Sequence, residues 1–197
     1  MVRRLTGLLC VLLLLCGVAC ADQRVFDEAD LFTDSQEAAI QMKIELICRT
    51  YQTDVVVLTT RDVPTAYDDR VIQDYADCWY DENGFGVGDE HSGILYMIDM
   101  NNRVPVVSTC GNMIVYFTDD RLERLFDNSH DELVDGRYAA AVESVLSDVD
   151  TYLNRGIPEG AYRYDAETGQ RDAEQNNKLF KYAVGFGLLL IGGAMLW

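Results

Sequence analysis

The side chains of this sequence best placed for chemistry are carboxylates grouped where predicted elements begin. Val25-Phe26-Asp27-Glu28-Ala29-Asp30 precedes the first predicted helix, and Thr118-Asp119-Asp120 opens a later one. Acids in a first helical turn favour the positive end of the helix dipole, which alone accounts for many such clusters. The other reading is convergence: loops after parallel strands meet at one edge of the sheet, where open α/β folds place their sites. Asp27, Asp30, Asp119 and Asp120 brought together there would hold Ca²⁺ or Mg²⁺, hard cations that take oxygen ligands.

Other chemistries are poorly provided for. His91 and His130 are the only histidines, and neither lies in a serine-hydrolase or zinc-protease motif. Cys110 is followed six residues on by Tyr116, where a cysteine phosphatase needs an arginine to hold phosphate. No glycine-rich phosphate loop with its lysine occurs. Asp81-Glu82-Asn83-Gly84 begins like a calcium loop, but Phe85 and Ser92 stand where an EF-hand needs an oxygen ligand and a glutamate.

The elements that must position these residues alternate between helix and strand. Thr33-Asp34-Ser35-Gln36-Glu37 is a capping cluster, and Ile40, Ile44, Ile47 and Tyr51 then draw one apolar stripe on a helix. Asp54 to Thr60 is a continuous β-branched run, the pattern of a central strand covered on both faces. A second helix is predicted over 66–80, with Val71, Tyr75, Cys78 and Trp79 inward. A glycine-bearing loop follows, then a strand over 93–100, a turn at Asn101-Asn102, and a partner strand over 103–109. Pro105 assigns that partner strand to the sheet edge, because proline donates nothing to a ladder. Met113 to Phe117 fits a strand or a short helix. Asp119-Asp120 opens a helix with Leu122, Leu125 and Phe126 inward, and a last helix over 138–153 buries Val142, Val145, Leu146, Val149 and Leu153. The expected fold is a three-layer α/β/α sandwich, Rossmann-like, over residues 22–154.

The ends point to export. Arg3 and Arg4, the apolar run Leu8 to Leu15, and Ala19-Cys20-Ala21 make a signal peptide over 1–21, cleaved after Ala21. A lipoprotein site at Cys20 is the rival. Residues 155–178 read as a polar linker. Residues 179–197 read as a transmembrane helix whose only charge is Lys181, which would put the domain on the extracytoplasmic side of a cell membrane. A spanning helix of that orientation wants Lys or Arg beyond its far end, so the natural chain is expected either to continue past Trp197 or to be anchored otherwise. Between Asp22 and Asn154 there are 28 acids and 9 bases, a net −19. That field repels nucleic acid and anionic lipid and favours cations. Of six cysteines, Cys48, Cys78 and Cys110 remain after processing. Two of them could pair and leave one over, but Cys48 and Cys78 fall among apolar neighbours on predicted helices and are expected as buried free thiols.

Several segments, in this order, resemble the TPM domain family: Val25 to Phe32, Asp54-Val55-Val56-Val57, Tyr75-Ala76 with Trp79, Asn83 to Gly88, Gly93-Ile94-Leu95, and Ser108-Thr109-Cys110-Gly111 followed by Thr118-Asp119. The family takes its name from a thylakoid lumen protein, a photosystem II repair protein and a nematode receptor modulator. The resemblance implies a Rossmann-like sandwich outside the cytoplasm, often tethered to a membrane. It implies acid phosphatase activity in some members, calcium binding in others, and an accessory role in membrane complexes in others again. Asp27 and Asp119 match the family's acidic positions. The usual Trp-x-Ile-Gly loop start is replaced by the longer run from Tyr80 to Gly86, which alters the mouth of any site. Two functions are therefore expected: a cation-binding accessory or interaction module of a membrane or envelope complex, or a metal-dependent phosphomonoesterase.

Overall fold

The β-branched run Asp54–Thr60 forms strand β2, and all seven of its residues are buried. It lies between β1 (Val25–Asp27) and β3 (Gly93–Asp99), both parallel to it, and β4 (Val104–Cys110) closes the sheet antiparallel to β3. The computed structural model describes residues 22–66 and 68–161; the expected signal peptide at 1–21, the expected transmembrane helix at 179–197 and all but the first residues of the expected linker at 155–178 lie outside them. Among the described residues no helix is long and apolar enough to cross a membrane.

Among the described residues five helices accompany the sheet: α1 (Asp34–Tyr51), α2 (Asp69–Glu82), the single turn α3 (Met113–Tyr116), α4 (Asp119–Val134) and α5 (Tyr138–Arg155). The Thr33–Gln36 capping box starts α1 as its spacing predicts, and Gln52 in the left-handed region ends it. Ile40, Ile44 and Ile47 of α1 join Leu125 of α4 and the apolar face of α5 over Val25, Val55, Val57, Ile94 and Tyr96. On the other face α2 alone covers Val56, Leu58, Leu95 and Met97. The result is a mixed α/β sandwich with helices on both faces of one sheet.

One element was not foreseen and one expectation needs correction. Val25–Asp27 is a strand, pairing Val25 with Val57 and Asp27 with Thr59; three residues are too few to show a period in the sequence. Helix α2 starts three residues later than predicted, and Ile72, Ala76 and Tyr80 are its buried residues, while Val71 and Cys78 face solvent. The inner face is set by steps of four through a small and a polar-tipped residue. Gly93 makes room for Tyr80: a Cβ there would lie 2.0 Å from the phenol oxygen.

Both sheet edges are partly blunted. On β1, the Val25 carbonyl accepts from the Gln23 side chain and the Asp27 carbonyl from the Asp30 N–H. On β4, Pro105 has no donor and the Val107 carbonyl accepts from Gln73 at 3.3 Å. Such blunting keeps an edge from recruiting another strand.

The crossovers β1–α1–β2 and β2–α2–β3 step the same way along the sheet but use opposite faces, so they are of opposite hand. Right-handed crossovers are the rule, which makes one of the two an exception. The loops leaving β1 and β2 consequently diverge to opposite faces, which makes the carboxyl ends of these strands the expected place for a crevice. Open α/β sheets bind their ligands at such a crevice.

Candidate functional site

Asp27 ends β1 beside this crevice, opposite Thr59. Its carboxylate accepts from the Leu31 N–H at 3.0 and 2.9 Å, from the Phe32 N–H at 2.7 Å and from the Thr59 hydroxyl. Both oxygens are thus used by the chain itself, and together these bonds fold the loop between β1 and α1 onto β2. Arg61 donates to the Ala29 carbonyl, and the Ala29 N–H reaches the Thr59 hydroxyl at 3.2 Å. The crevice is filled from within.

Asp30 follows at φ 56°, exposed, in a backbone region that favours glycine or a short polar residue. Other acids share the carboxyl edge. Tyr75, reaching toward Thr60, has its phenol pushed above the ordinary value chiefly by burial, and further by the Glu28, Asp62 and Asp99 carboxylates. Asp99 is fully buried at the end of β3, where it accepts from the Asn101 and Asn102 N–H groups and, at 2.6 Å, from the Asn102 amide. It ties the hairpin turn.

Asp119 and Asp120 lie elsewhere. β4 returns to the amino end of β3, pairing Cys110 with Gly93, and α4 begins there and climbs back. Arg121, in the same turn, donates to the Tyr152 carbonyl near the end of α5. The sheet therefore separates this pair from Asp27 and Asp30, and the expected four-aspartate site is not assembled. The single antiparallel strand β4 reversed the direction of everything after it. Among the described residues, no three His, Cys, Asp or Glu side chains gather closely enough to hold a metal ion.

Two groups that the sequence reading passed over are prominent at the amino edge. Asp54, 3 % exposed, pairs with Arg24 at 2.6 Å and accepts from the Gly86 N–H at 2.9 Å. The Arg24 guanidinium stacks over Phe85, which packs with Phe26 and Trp79. The signal available was an acid heading an otherwise apolar strand, a position that demands a partner when buried. This pair docks the long loop after α2 onto the sheet. His91 in that loop stands at φ 50° with Nδ1 3.4 Å from the Phe85 carbonyl. Cys48 is half-buried beside Asp54, and burial pushes its thiol up to about 11. Cys78 is exposed, contrary to expectation, because α2 turns a different face inward.

The acids are unevenly spread. The exposed faces of α2, α4 and α5 all carry them, including Asp74 and Asp81, Asp127 and Asp131, and Glu143 and Asp150. Past Asp34 in its first turn, α1 exposes no acid: Ser35, Gln36, Ala38, Ala39, Met42, Leu46, Arg49 and Thr50 are its exposed residues from there to the last turn. Met42 and Leu46 are 65 % and 67 % exposed.

Among solved structures, the chain is similar to the N-terminal domain of a protein from P. gingivalis, with TM-score 0.60 and 20% identity over 75% of this chain and 92% of that one. It is also similar to the BA42 protein of the psychrophilic bacterium Bizionia argentinensis, with TM-score 0.55 and 13% identity over 64% and 84%. The N-terminal domain of the cg2496 protein from Corynebacterium glutamicum gives TM-score 0.52 and 13% identity over 72% and 87%. These likenesses show a shared fold. No curated protein matches the chain significantly. The family profile described as the TPM domain matches residues 25–152, well over half of the sequence, and the chain belongs to the TPM domain family.

Proposed function

We propose that this TPM domain is a non-catalytic docking module, held on the outer side of a membrane by the segment 179–197 and engaging a membrane-associated partner through the outward face of α1. The acid-free stripe on a domain of net charge −19 carries this reading. Single exposed apolar residues are ordinary on any surface, but Met42 and Leu46 stand one turn apart, and the carboxylate nearest them, Glu45, is half-buried and held by an arginine. Arg49 lies at one end of the stripe, paired to Glu45 at 2.8 Å. A partner with an apolar centre and an acidic rim fits this face. Carboxylates elsewhere repel that rim and so help select the face that docks.

The residues do not fit a cation held by Asp27, whose oxygens already accept bonds from two backbone N–H groups and a hydroxyl. The expected Ca²⁺ or Mg²⁺ therefore has no part in the proposal, nor does the phosphomonoesterase that would need it.

A photo-crosslinking residue at position 42 of the full chain, irradiated in native membranes, tests the reading, with position 74 on α2 as control. A product heavier than the chain by the mass of one partner, at least fivefold stronger from position 42 than from 74, is expected. Leu46→Glu should abolish it without lowering the melting temperature. Equal yields from both positions would overturn the assignment, and a product of twice the chain mass would replace the partner with a second copy.

A further inference from the structure

At the carboxyl end of β3, the β3–β4 turn and the last turns of α4 enclose a cleft of about 390 Å³, within the size range of small-ligand sites. Buried Ile98 and half-buried Phe126, Leu133 and Tyr138 line it, while Arg103, Asp127 and His130 are exposed at its margin.

Arg103 alone among the domain's bases combines two independent features. Its φ is 59°, in the left-handed region where a side chain is strained and a hairpin turn ordinarily uses glycine. It also has no hydrogen bond or ion pair among the described residues. Of the other eight bases of the domain, seven are committed: Arg24, Arg49, Arg70 and Arg137 to carboxylates, Lys43, Arg61 and Arg121 to backbone carbonyls; the eighth, Arg124, is exposed on α4 in ordinary helical backbone and lines no part of the cleft. A strained backbone bearing an unpaired guanidinium gains nothing from the fold that holds it. Strain of this kind collects at binding sites, where a ligand interaction offsets it.

We propose that this cleft binds a small organic anion with an apolar body. A carboxylate or sulfonate meets the Arg103 guanidinium, and a ring or short chain lies against Phe126, Leu133 and Tyr138. His130 supplies a second donor, and Asp127 confines the anionic end to the Arg103 side. The net charge of the domain disfavours anions at a distance, but screening within ~10 Å at 0.1 M salt leaves the contact with Arg103 to decide. An extended peptide laid along β4 is a poor occupant, because Pro105 offers no donor and Gln73 already holds the Val107 carbonyl.

The test uses the full chain in dodecyl maltoside, with equilibrium dialysis of naphthalene-2-sulfonate and of the neutral naphthalene-2-methanol, each corrected for protein-free micelles. The sulfonate should saturate with a Kd at least tenfold below that of the alcohol. Arg103→Gly should erase that advantage while raising the melting temperature, and Leu133→Ala should weaken both probes alike. The proposal fails if Arg103→Gly binds the sulfonate as the wild type does, or if the wild type takes up neither probe saturably. A lower melting temperature in Arg103→Gly would make the arginine structural and overturn it too.

Discussion

Asp27→Ala separates two accounts of the same carboxylate. If Asp27 is a clamp on the β1–α1 loop, its removal leaves the Leu31 and Phe32 N–H groups and the Thr59 hydroxyl without their acceptor. A hydrogen bond to a charged group contributes roughly 1.5–3 kcal/mol, and water can relieve part of the loss at this half-buried loop, so the cost should be about 3 kcal/mol. With an unfolding entropy of roughly 2.1 cal/mol/K per residue over about 130 residues, the melting temperature should fall by about 10 °C. If Asp27 is instead a calcium ligand, the loss appears only when the ion is present. A hundredfold excess of ion over Kd would stabilise the wild type by about 2.7 kcal/mol, and the variant would forfeit that gain. Thermal melts of wild type, Asp27→Ala and Asp119→Ala, each with and without Ca²⁺, decide between them. The clamp predicts the full drop for Asp27→Ala in calcium-free buffer. It also predicts a change for Asp119→Ala no larger than the roughly 0.3–1 kcal/mol of an acid in a first helical turn. A calcium-free melt of Asp27→Ala within about 2 °C of wild type, with a calcium-induced rise that only the wild type shows, would refute the clamp and restore the ligand.

Two further outcomes follow from buried side chains. The Tyr80 hydroxyl is buried without a partner, and burial first, then Asp54, pushes its phenol far up; Tyr80→Phe should therefore leave stability unchanged or raise it by up to about 1 kcal/mol in a denaturant titration, whereas a loss above that would reveal a hidden bond. Of the three thiols, Cys78 should alkylate first at pH 8 in a mass-spectrometric time course, and Cys48 should lag, because its thiol is raised from 9.0 to about 11 and the thiolate is the reactive form. The sign for stability follows: the folded state holds the Cys48 proton more tightly, so its contribution is complete below pH 9 and is lost between about pH 9 and 11, a fall that Cys48→Ala should not show.

Much of the framework was readable because it rests on local physics. The Thr33–Gln36 box, the unbroken β-branched run of β2 and the apolar stripe of α5 each specify one element without reference to the rest of the chain. Pro105 told the edge position of β4 for the same reason: a missing donor is a property of one residue. What failed depended on pairing over distance. Strand β1 exists only because three residues find Val57 to Thr59 thirty positions away. The inner face of α2 depends on Gly93 admitting Tyr80, which no period within the helix reveals. The four-aspartate site failed at a further remove. Both acidic clusters were correctly placed at element boundaries, yet which edge of the sheet each boundary occupies is fixed by strand direction, and β4 runs against its neighbour.

Charge explains why the two surfaces proposed here stand out at all. With 28 acids and 9 bases between Asp22 and Asn154, nearly every base is drawn into an internal contact, and carboxylates fill the exposed helix faces by default. A stretch without exposed acids is then a departure from the background, and so is an unpaired guanidinium on a strained backbone. The outward face of α1 is the first kind and Arg103 the second. They share no residue: the stripe runs along one helix, while the cleft lies between α4 and the β3–β4 turn. Leu46→Glu places a carboxylate on a face that had none, and Arg103→Gly removes a cation from a margin that keeps Asp127. Neither change reaches the contacts of the other, so each surface stands or falls by its own measurement. Either result leaves intact the Asp27 clamp and the Arg24–Asp54 pair that hold the two loops to the sheet.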